Sequence, residues 1–408
     1  MNLLFLTPQL PFPPRQGTAI RNWGLIKHLA ERHAIWLLSF IEPDQPPPQA
    51  PLQAACRQVI TVPVPRRSRA ARVRTLLSAE PDLARRLRSP EYSAALSELV
   101  QSHTFDFIQI EGLELGPYLA ELARSRLAAA GPRLLYDAHN AEFLIQRRAF
   151  LNDRRLPSRW PAALYSSLQT PRLTAFEAEV CRAAHVVTCV STEDAAALRR
   201  LVPGLQPVIV PNGIDFDSYQ SAAALPELGT ACIVAFTGKM DYRPNIDAAL
   251  WFIDSILPRI RAVRPEVQFY VVGQKPPQQL RRLHGQHGVV VTGVVEDPRP
   301  YIAAAAVYVA PLRMGGGTRF KLLEAMALGR PIVSTTLGAE GFAVQSGREL
   351  LLADRPAEFA AAVLRLLETP AQAQALAQAG RAFARASYDW SVIIPKLEAA
   401  YGVRDPRE

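Results

Sequence analysis

Three consecutive glycines, Gly315, Gly316 and Gly317, precede Thr318, Arg319, Lys321 and Glu324. An apolar run ending at Pro311 lies before them, and the β-branched run Ile332-Val333-Ser334-Thr335 follows after a Gly329-Arg330-Pro331 turn. The pattern reads as strand, glycine turn, helix, turn, strand. A glycine turn that opens a helix presents unpaired N–H groups and the positive end of the helix dipole, which together favour an anion. Arg319 and Lys321 fall in the first helical turn, where cations are unfavourable unless an anion such as a diphosphate is present. Glu324 is one carboxylate on the same helix.

Other strand ends repeat the habit. Gly238 and Lys239 follow one apolar run, with Arg243 four positions on. Gly273 follows the next, and Gly293-Val294-Val295-Glu296 the third. Glycine at each end lets a ligand approach the backbone. In a parallel sheet these loops open on one edge, so Lys239, Arg243, Arg319 and Lys321 are expected to converge on a diphosphate. A single glycine is a turn and a single cation a solvated charge; the repetition is what favours a site.

The elements that position these residues are short apolar strands alternating with amphipathic helices. Strands are expected at 3–7, 35–39, 59–62, 107–111, 134–137 and 186–191, then at 232–236, 268–272, 289–292, 307–310, 332–334 and 350–352. Helices are expected at 18–31, 90–101, 115–130 and 159–184, then at 245–256, 277–284, 298–304, 319–328 and 356–367. That alternation predicts an α/β chain of two tandem Rossmann-like doubly wound domains with parallel sheets, facing across a cleft. The Pro211-Asn212-Gly213 turn marks the boundary: residues 1–215 are expected to form the first domain and 216–387 the second. The segment 388–405 carries more apolar residues than a free tail and is expected to pack back on the first domain.

The chain has 408 residues, a length that suits two domains, and a net charge of +9 with arginine far outnumbering lysine. That balance favours anionic partners. Cys56, Cys181, Cys189 and Cys232 have no metal or redox spacing and read as buried thiols. His284 and His287 read as a surface pair. No run is long enough for a membrane span and the start lacks a basic leader, so a cytoplasmic protein is expected.

The chain resembles the GT-B glycosyltransferases of the large retaining group often numbered GT4. The residues that carry the resemblance are Val210-Pro211-Asn212-Gly213-Ile214-Asp215, Gly238-Lys239, Val291-Thr292-Gly293-Val294-Val295, and Lys321-Leu322-Leu323-Glu324-Ala325-Met326-Ala327-Leu328-Gly329-Arg330-Pro331. The Gly-Gly-Gly-Thr-Arg-x-Lys run is most similar to a subgroup tied to exopolysaccharide biosynthesis. The resemblance implies a nucleotide-diphosphate-sugar donor, a glycan or lipid-linked acceptor, retention of anomeric configuration, and neither a metal nor another cofactor. It implies that Glu324 accepts both ribose hydroxyls, that Lys239, Arg319 and Lys321 neutralise the diphosphate, and that Val294 and Val295 hold the base. Gly17 and Thr18 would open a helix toward the same diphosphate, and His139, after Asp137-Ala138, would contact the donor sugar. The family's usual second glutamate, eight positions before Glu324, is replaced by Gly316; Glu340 is a candidate substitute.

Arginines cluster at 66, 67, 69, 72, 74, 85, 86 and 88, and again at 147, 148, 154, 155 and 159. Either a solvated basic surface or a peripheral site on an anionic membrane fits them. Nucleic acid is not expected, because no recognition motif accompanies the arginines. The rival readings are an epimerase or phosphorylase of the same architecture and a non-catalytic nucleotide-sugar or polyanion binder.

Overall fold

The computed structural model describes residues 1–14, 17–43, 45–68, 75, 78–124, 131–154, 157–220, 228, 232–315 and 320–402. The chain divides into two compact units, one of 1–213 with 390–408 and one of 214–389.

The first unit is built on β1 (Asn2–Thr7), β2 (Ala34–Ile41), β3 (Gln58–Pro63), β4 (Phe107–Glu111), β5 (Arg133–Ala138), β6 (Val186–Cys189) and β7 (Val208–Ile209). All are parallel, in the order β3-β2-β1-β4-β5-β6-β7. The central strands are apolar along their length because helices cover both faces, and Leu3, Leu4, Phe5, Leu6, Ile108 and Ile110 are fully buried.

The second unit is built on β8 (Ile233–Thr237), β9 (Gln268–Val272), β10 (Val289–Gly293), β11 (Val307–Ala310), β12 (Ile332–Ser334) and β13 (Leu351–Leu352). These too are parallel, ordered β10-β9-β8-β11-β12-β13. In each sheet the strand order reverses beside the first strand, at β1/β4 and at β8/β11. Such switch points open a crevice at the carboxyl ends of the strands, where ligands of open α/β sheets bind.

The helix Trp390–Tyr401 belongs to the first unit. Its Trp390, Ile393, Ile394 and Leu397 are buried against that sheet's apolar strands and the helix Gly17–Leu29. Glycine makes room for the indole: a Cβ at Gly24 would lie 1.9 Å from the Trp390 ring, and one at Gly213 would lie 2.5 Å from it. Each such large apolar side chain contributes about 2 kcal/mol on burial.

Element limits differ from expectation in places. The expected helix 245–256 is Arg243–Trp251, a π-helical turn Phe252–Ile256, then Leu257–Arg261. Pro258 has no N–H to donate, which accounts for the widened ladder before it. The helix expected at 115–130 is described over Gly116–Arg124, and 125–130 lie outside the described residues. The helix Pro370–Tyr388 was not anticipated. Cys56, Cys181 and Cys189 are buried, and burial pushes each thiol up to about 12. Cys232 is half-buried. Among the described residues no helix is long and apolar enough to cross a membrane.

Candidate active site

In the second unit, Gly238 and Lys239 leave β8 and Gly315 lies in the loop after β11, so both flank the switch point. Gly238 N donates to Val272 O at 3.0 Å. Gly273, at φ 154°, approaches so closely that a Cβ there would lie 1.7 Å from Gly238 O. Only glycine permits that contact. Lys321 stands on the helix Phe320–Ala327, and its Nζ donates to Asn245 Oδ1 at 2.7 Å. Asn245 Nδ2 in turn donates to Lys239 O at 2.9 Å. The ammonium also lies 4.2 Å from the centre of the Phe236 ring, which attracts cations through its negative face. A Cβ on Gly238 would come within 3.0 Å of this Nζ. Lys321 is therefore held against the backbone of the first glycine loop.

Glu324 follows one turn later. The Tyr219 hydroxyl donates to Glu324 Oε1 at 3.0 Å, and among the described residues no donor reaches Oε2. Burial pushes the Glu324 carboxyl above its ordinary range, against the Tyr219 hydrogen bond and the Lys321 charge. Arg299 pairs with Asp297 at 2.7 Å, donates to Ser218 O at 2.8 Å and lies over the Tyr219 ring. Tyr219 is thereby packed into place behind the carboxylate. Glu324 is half-buried, and a carboxylate oxygen in such a place is a ready acceptor for a ligand's donors.

The other expected residues of this unit sit around the same edge. The Lys239 ammonium lies 3.7 Å from Asp241, and Arg243 opens the helix Arg243–Trp251. Gly293 ends β10; Val294 is 75% exposed, available to a planar ligand, with Val295 half-buried beside it. Glu340 is half-buried in the turns after β12. Gly316, Gly317, Thr318 and Arg319 lie outside the described residues. His284 and His287 are exposed, and His284 Nδ1 accepts from Val291 N at 3.1 Å.

In the first unit, Gly17 and Thr18 open the helix Gly17–Leu29 after β1, as expected. One turn into it stands Arg21, 2% exposed and missed by sequence reasoning. Its Nε donates to Asp137 Oδ2 at 2.7 Å and its Nη2 to Asp137 Oδ1 at 2.9 Å. A fork-to-fork pair of this kind is strong and directional. Arg21 Nη1 also donates to Pro211 O at 3.0 Å and Asn212 Oδ1 at 3.2 Å, which ties the Pro-Asn-Gly turn to β5. Burial would raise the Asp137 carboxyl, but Arg21 holds it far below the usual range.

His139 follows β5 directly. Its Nε2 lies 2.8 Å from Glu111 Oε2 and 3.8 Å from Asp137 Oδ2. Burial lowers the imidazole's proton affinity, yet the Glu111 bond outweighs it and leaves the net shift upward. Two buried carboxylates, one guanidinium and an imidazolium make an electrically balanced cluster. The His139 side chain keeps 15% exposure, so it can touch a ligand. Gly112 beside it is at φ 87°, a conformation that favours glycine, and a Cβ there would lie 2.8 Å from Glu114 Oε2.

Glu111, Asp137 and His139 offer donor atoms within 4.8 Å of one another. Both Asp137 oxygens are already engaged, by Arg21 and by the Thr188 hydroxyl at 2.6 Å, and His139 Nε2 faces Glu111. A divalent ion would have to displace a bidentate guanidinium, so the cluster fits an internal network better than a metal.

The backbone after His139 is pinned by carboxylates. Asp194 accepts from Ala141 N at 2.9 Å, and Glu177 accepts from Glu142 N at 3.1 Å and Phe143 N at 2.9 Å. Burial pushes Glu142 up to about 7 and Glu177 up to about 8. Between the ordinary carboxyl value of 4.5 and these values, the folded chain holds protons that the unfolded chain has released. Stability is then highest at the acid end of that window and falls as pH rises through it. Urea denaturation followed by circular dichroism from pH 5 to 9 is expected to show stability falling by several kcal/mol. Glu177→Gln is expected to flatten the slope. A flat or rising wild-type profile would contradict the assignment.

Comparison with known proteins places these sites in a family. A model described as "Glycosyl transferase 4-like domain" matches residues 16–213, and one described as "Glycosyl transferases group 1" matches 231–369. A phosphatidyl-myo-inositol mannosyltransferase of Mycobacterium tuberculosis is 33% identical over 214 residues, which is 48% of this chain and 54% of that protein. A glycogen synthase of the same organism is 27% identical over 239 residues, 54% of this chain and 56% of that one. The chain thus spans about half the length of the curated relatives it matches. Among solved structures, a sucrose-phosphate synthase from Thermosynechococcus elongatus superposes with a TM-score of 0.71 at 19% identity, covering 98% of both chains. Anabaena Alr3699/HepE, in complex with UDP and glucose, superposes with a TM-score of 0.65 at 16% identity, covering 98% of this chain and 99% of the other. At such identities these likenesses establish the fold, two Rossmann-like parallel-sheet units of the GT-B type. With one family model on each unit, the chain belongs to the group 1, type 4-like glycosyltransferases.

Proposed function

We propose that this chain is a retaining, metal-independent glycosyltransferase. It moves a sugar from a nucleotide-diphosphate-sugar to an acceptor hydroxyl, in exopolysaccharide or cell-surface glycan assembly. The observation that carries the reading is Glu324, a half-buried carboxylate that takes the Tyr219 hydroxyl on Oε1 and, among the described residues, no donor on Oε2, one turn from an immobilised lysine at a switch point. Two vicinal ribose hydroxyls supply the donors a carboxylate needs. The departing diphosphate is held by the helix terminus and Lys321, with Lys239 and Arg319 completing the charge. A preorganised donor at such a place contributes about 3 kcal/mol to the transition state.

His139, kept protonated by the charge of its Glu111 partner, is the first unit's contact for the donor sugar. The acceptor's proton passes to an oxygen of the departing diphosphate, on the same face of the sugar, which retains configuration. Gly316 leaves the usual glutamate's place on the sugar without a carboxylate. The UDP and glucose in the HepE complex support a donor of this class, and the mannosyltransferase's name supports a lipid acceptor.

A membrane-facing acceptor suits one face of the first unit. Along the helix Trp160–Ala183, Trp160 is 62% exposed, Leu164 64%, Tyr165 39% and Leu168 41%, a single stripe at helical spacing. Arg147 and Arg148 stand on the preceding helix Glu142–Asp153, Arg154 follows it, and Arg159, directly before Trp160, pairs with Asp153 at 3.6 Å. Aromatic and aliphatic side chains rimmed by arginine suit the interface of an anionic bilayer. The other arginine group is largely matched: Arg67 pairs with Asp82 at 2.6 Å, and Arg85 and Arg88 both reach Glu80. Arg69, Arg72, Arg74 and Arg155 lie outside the described residues.

Incubation with labelled UDP-, GDP- and ADP-sugars and anionic vesicles carrying lipid-linked acceptors tests both parts. Transfer with retained configuration and salt-sensitive pelleting are expected. Epimerised donor, or phosphorolysis without transfer, overturns the reaction; pelleting that ignores salt and survives Trp160→Ser with Leu164→Ser overturns the membrane face.

A further inference from the structure

Glu111, which holds His139, is itself held by a chain of buried polar groups. The Tyr401 hydroxyl donates to Gln109 Oε1, across 292 positions of sequence. Gln109 Nε2 donates to Glu111 Oε1 at 2.5 Å. Glu111 Oε2 takes His139 Nε2 at 2.8 Å, and Asn22, with its amide turned to donate, adds a bond to the same oxygen at 2.9 Å. Gln109 and Glu111 are fully buried, and Tyr401 is 3% exposed.

The chain has one sense. A tyrosine that donates to the amide oxygen leaves only the amide N–H₂ to face the carboxylate. A carboxylate that receives N–H from Gln109 and Asn22 is kept as an acceptor, so the proton of the last link resides on His139 Nε2. We propose that Tyr401, acting through Gln109 and Glu111, is a positioning residue for His139: the last turn of the helix Trp390–Tyr401 keeps a proton on Nε2 whether the ring is neutral or charged, and fixes how the ring is aimed. This rests on the reading that His139 meets the donor sugar.

A purely structural role for Tyr401 is the competing account, since its ring packs 4.8 Å from that of Phe107. Tyr401→Phe keeps the ring and removes only the hydroxyl. The groups that face His139 are Glu111 from β4, Asp137 from its own strand and Arg21 from the helix after β1, with Glu142 near on the following helix. None of them is altered by the substitution.

The test is nitrogen-15 imidazole NMR of the full chain, with His139→Asn to assign the signal. In the wild type the Nε2–H is expected to exchange slowly and the ring to titrate above ordinary histidine. In Tyr401→Phe and in Gln109→Leu, the midpoint is expected to move down and exchange to quicken about tenfold, the scale of one buried hydrogen bond. The double variant is expected to match Gln109→Leu alone, because both act through one chain. Donor turnover is expected to fall about three- to tenfold with KM for donor unchanged. A Tyr401→Phe titration that coincides with the wild type, or additive shifts in the double variant, overturns the proposal. The NMR changes appearing without any sugar transfer would uphold the chain of bonds and overturn the glycosyltransferase reading instead.

Discussion

Lys321→Ala is expected to lower turnover about 100- to 1,000-fold, the scale seen when one preorganised donor to a developing negative charge is removed. The size follows from how the ammonium is held. It sits in the first turn of the helix Phe320–Ala327, where the dipole opposes a cation. Asn245 at 2.7 Å and the Phe236 ring at 4.2 Å keep it there nonetheless. Its position is fixed before any diphosphate arrives, so little reorganisation is needed when the sugar leaves. Lys321→Arg is not expected to restore the rate, because a guanidinium does not fit beside Gly238 and Asn245. Lys239→Ala is also expected to slow turnover, though less, since its ammonium is half exposed beside Asp241. Single-turnover rates with saturating donor check this. Rates near wild type in both alanine variants would remove the charge-holding mechanism.

Glu324→Gln is expected to raise the dissociation constant for the nucleotide about 10- to 100-fold, the range for one lost hydrogen bond to a charged group. The carboxylate offers acceptors only, whereas the amide turns an N–H₂ toward one incoming hydroxyl. The Tyr219 hydroxyl can still donate to the amide oxygen, so the fold around the site is expected to survive. Calorimetric titration with nucleoside diphosphate checks the value, and an unchanged constant would contradict the ribose role. Because both residues stand on one helix, Lys321→Ala is expected to act mainly on rate and Glu324→Gln mainly on affinity.

Much of this was legible in the chain. A strand buried on both faces must be apolar along its length, so the runs of β1, β4, β8 and β11 announced themselves. Glycines at strand ends are equally visible, because a Cβ at Gly273 would collide with the backbone of Gly238. The buried charges were not. Arg21 looks like one more polar residue on an amphipathic helix, and its partner Asp137 is 116 positions away. Glu111 ends an apolar strand and carries no local sign that a histidine from the neighbouring strand's end will meet it. Tyr219 lies in a short helix after the domain junction, with Glu324 105 positions on. The helix Pro370–Tyr388 is rich in alanine and glutamine, and its buried face is largely small: Ala377, Gly380 and Ala384 pack without the bulky periodicity that marks a helix in sequence. Long-range polar pairs and small-residue packing depend on tertiary contact and leave little local trace.

The central claim is that the second unit captures an activated sugar through its nucleotide. Thermal melting of the full chain against UDP-, GDP- and ADP-sugars tests it most directly, because a ligand that binds the folded form raises the melting temperature by mass action. One nucleotide class is expected to raise the melting temperature saturably, with the rise greatly reduced in Glu324→Gln. No shift with any of the three, or an equal shift in the variant, would contradict the account.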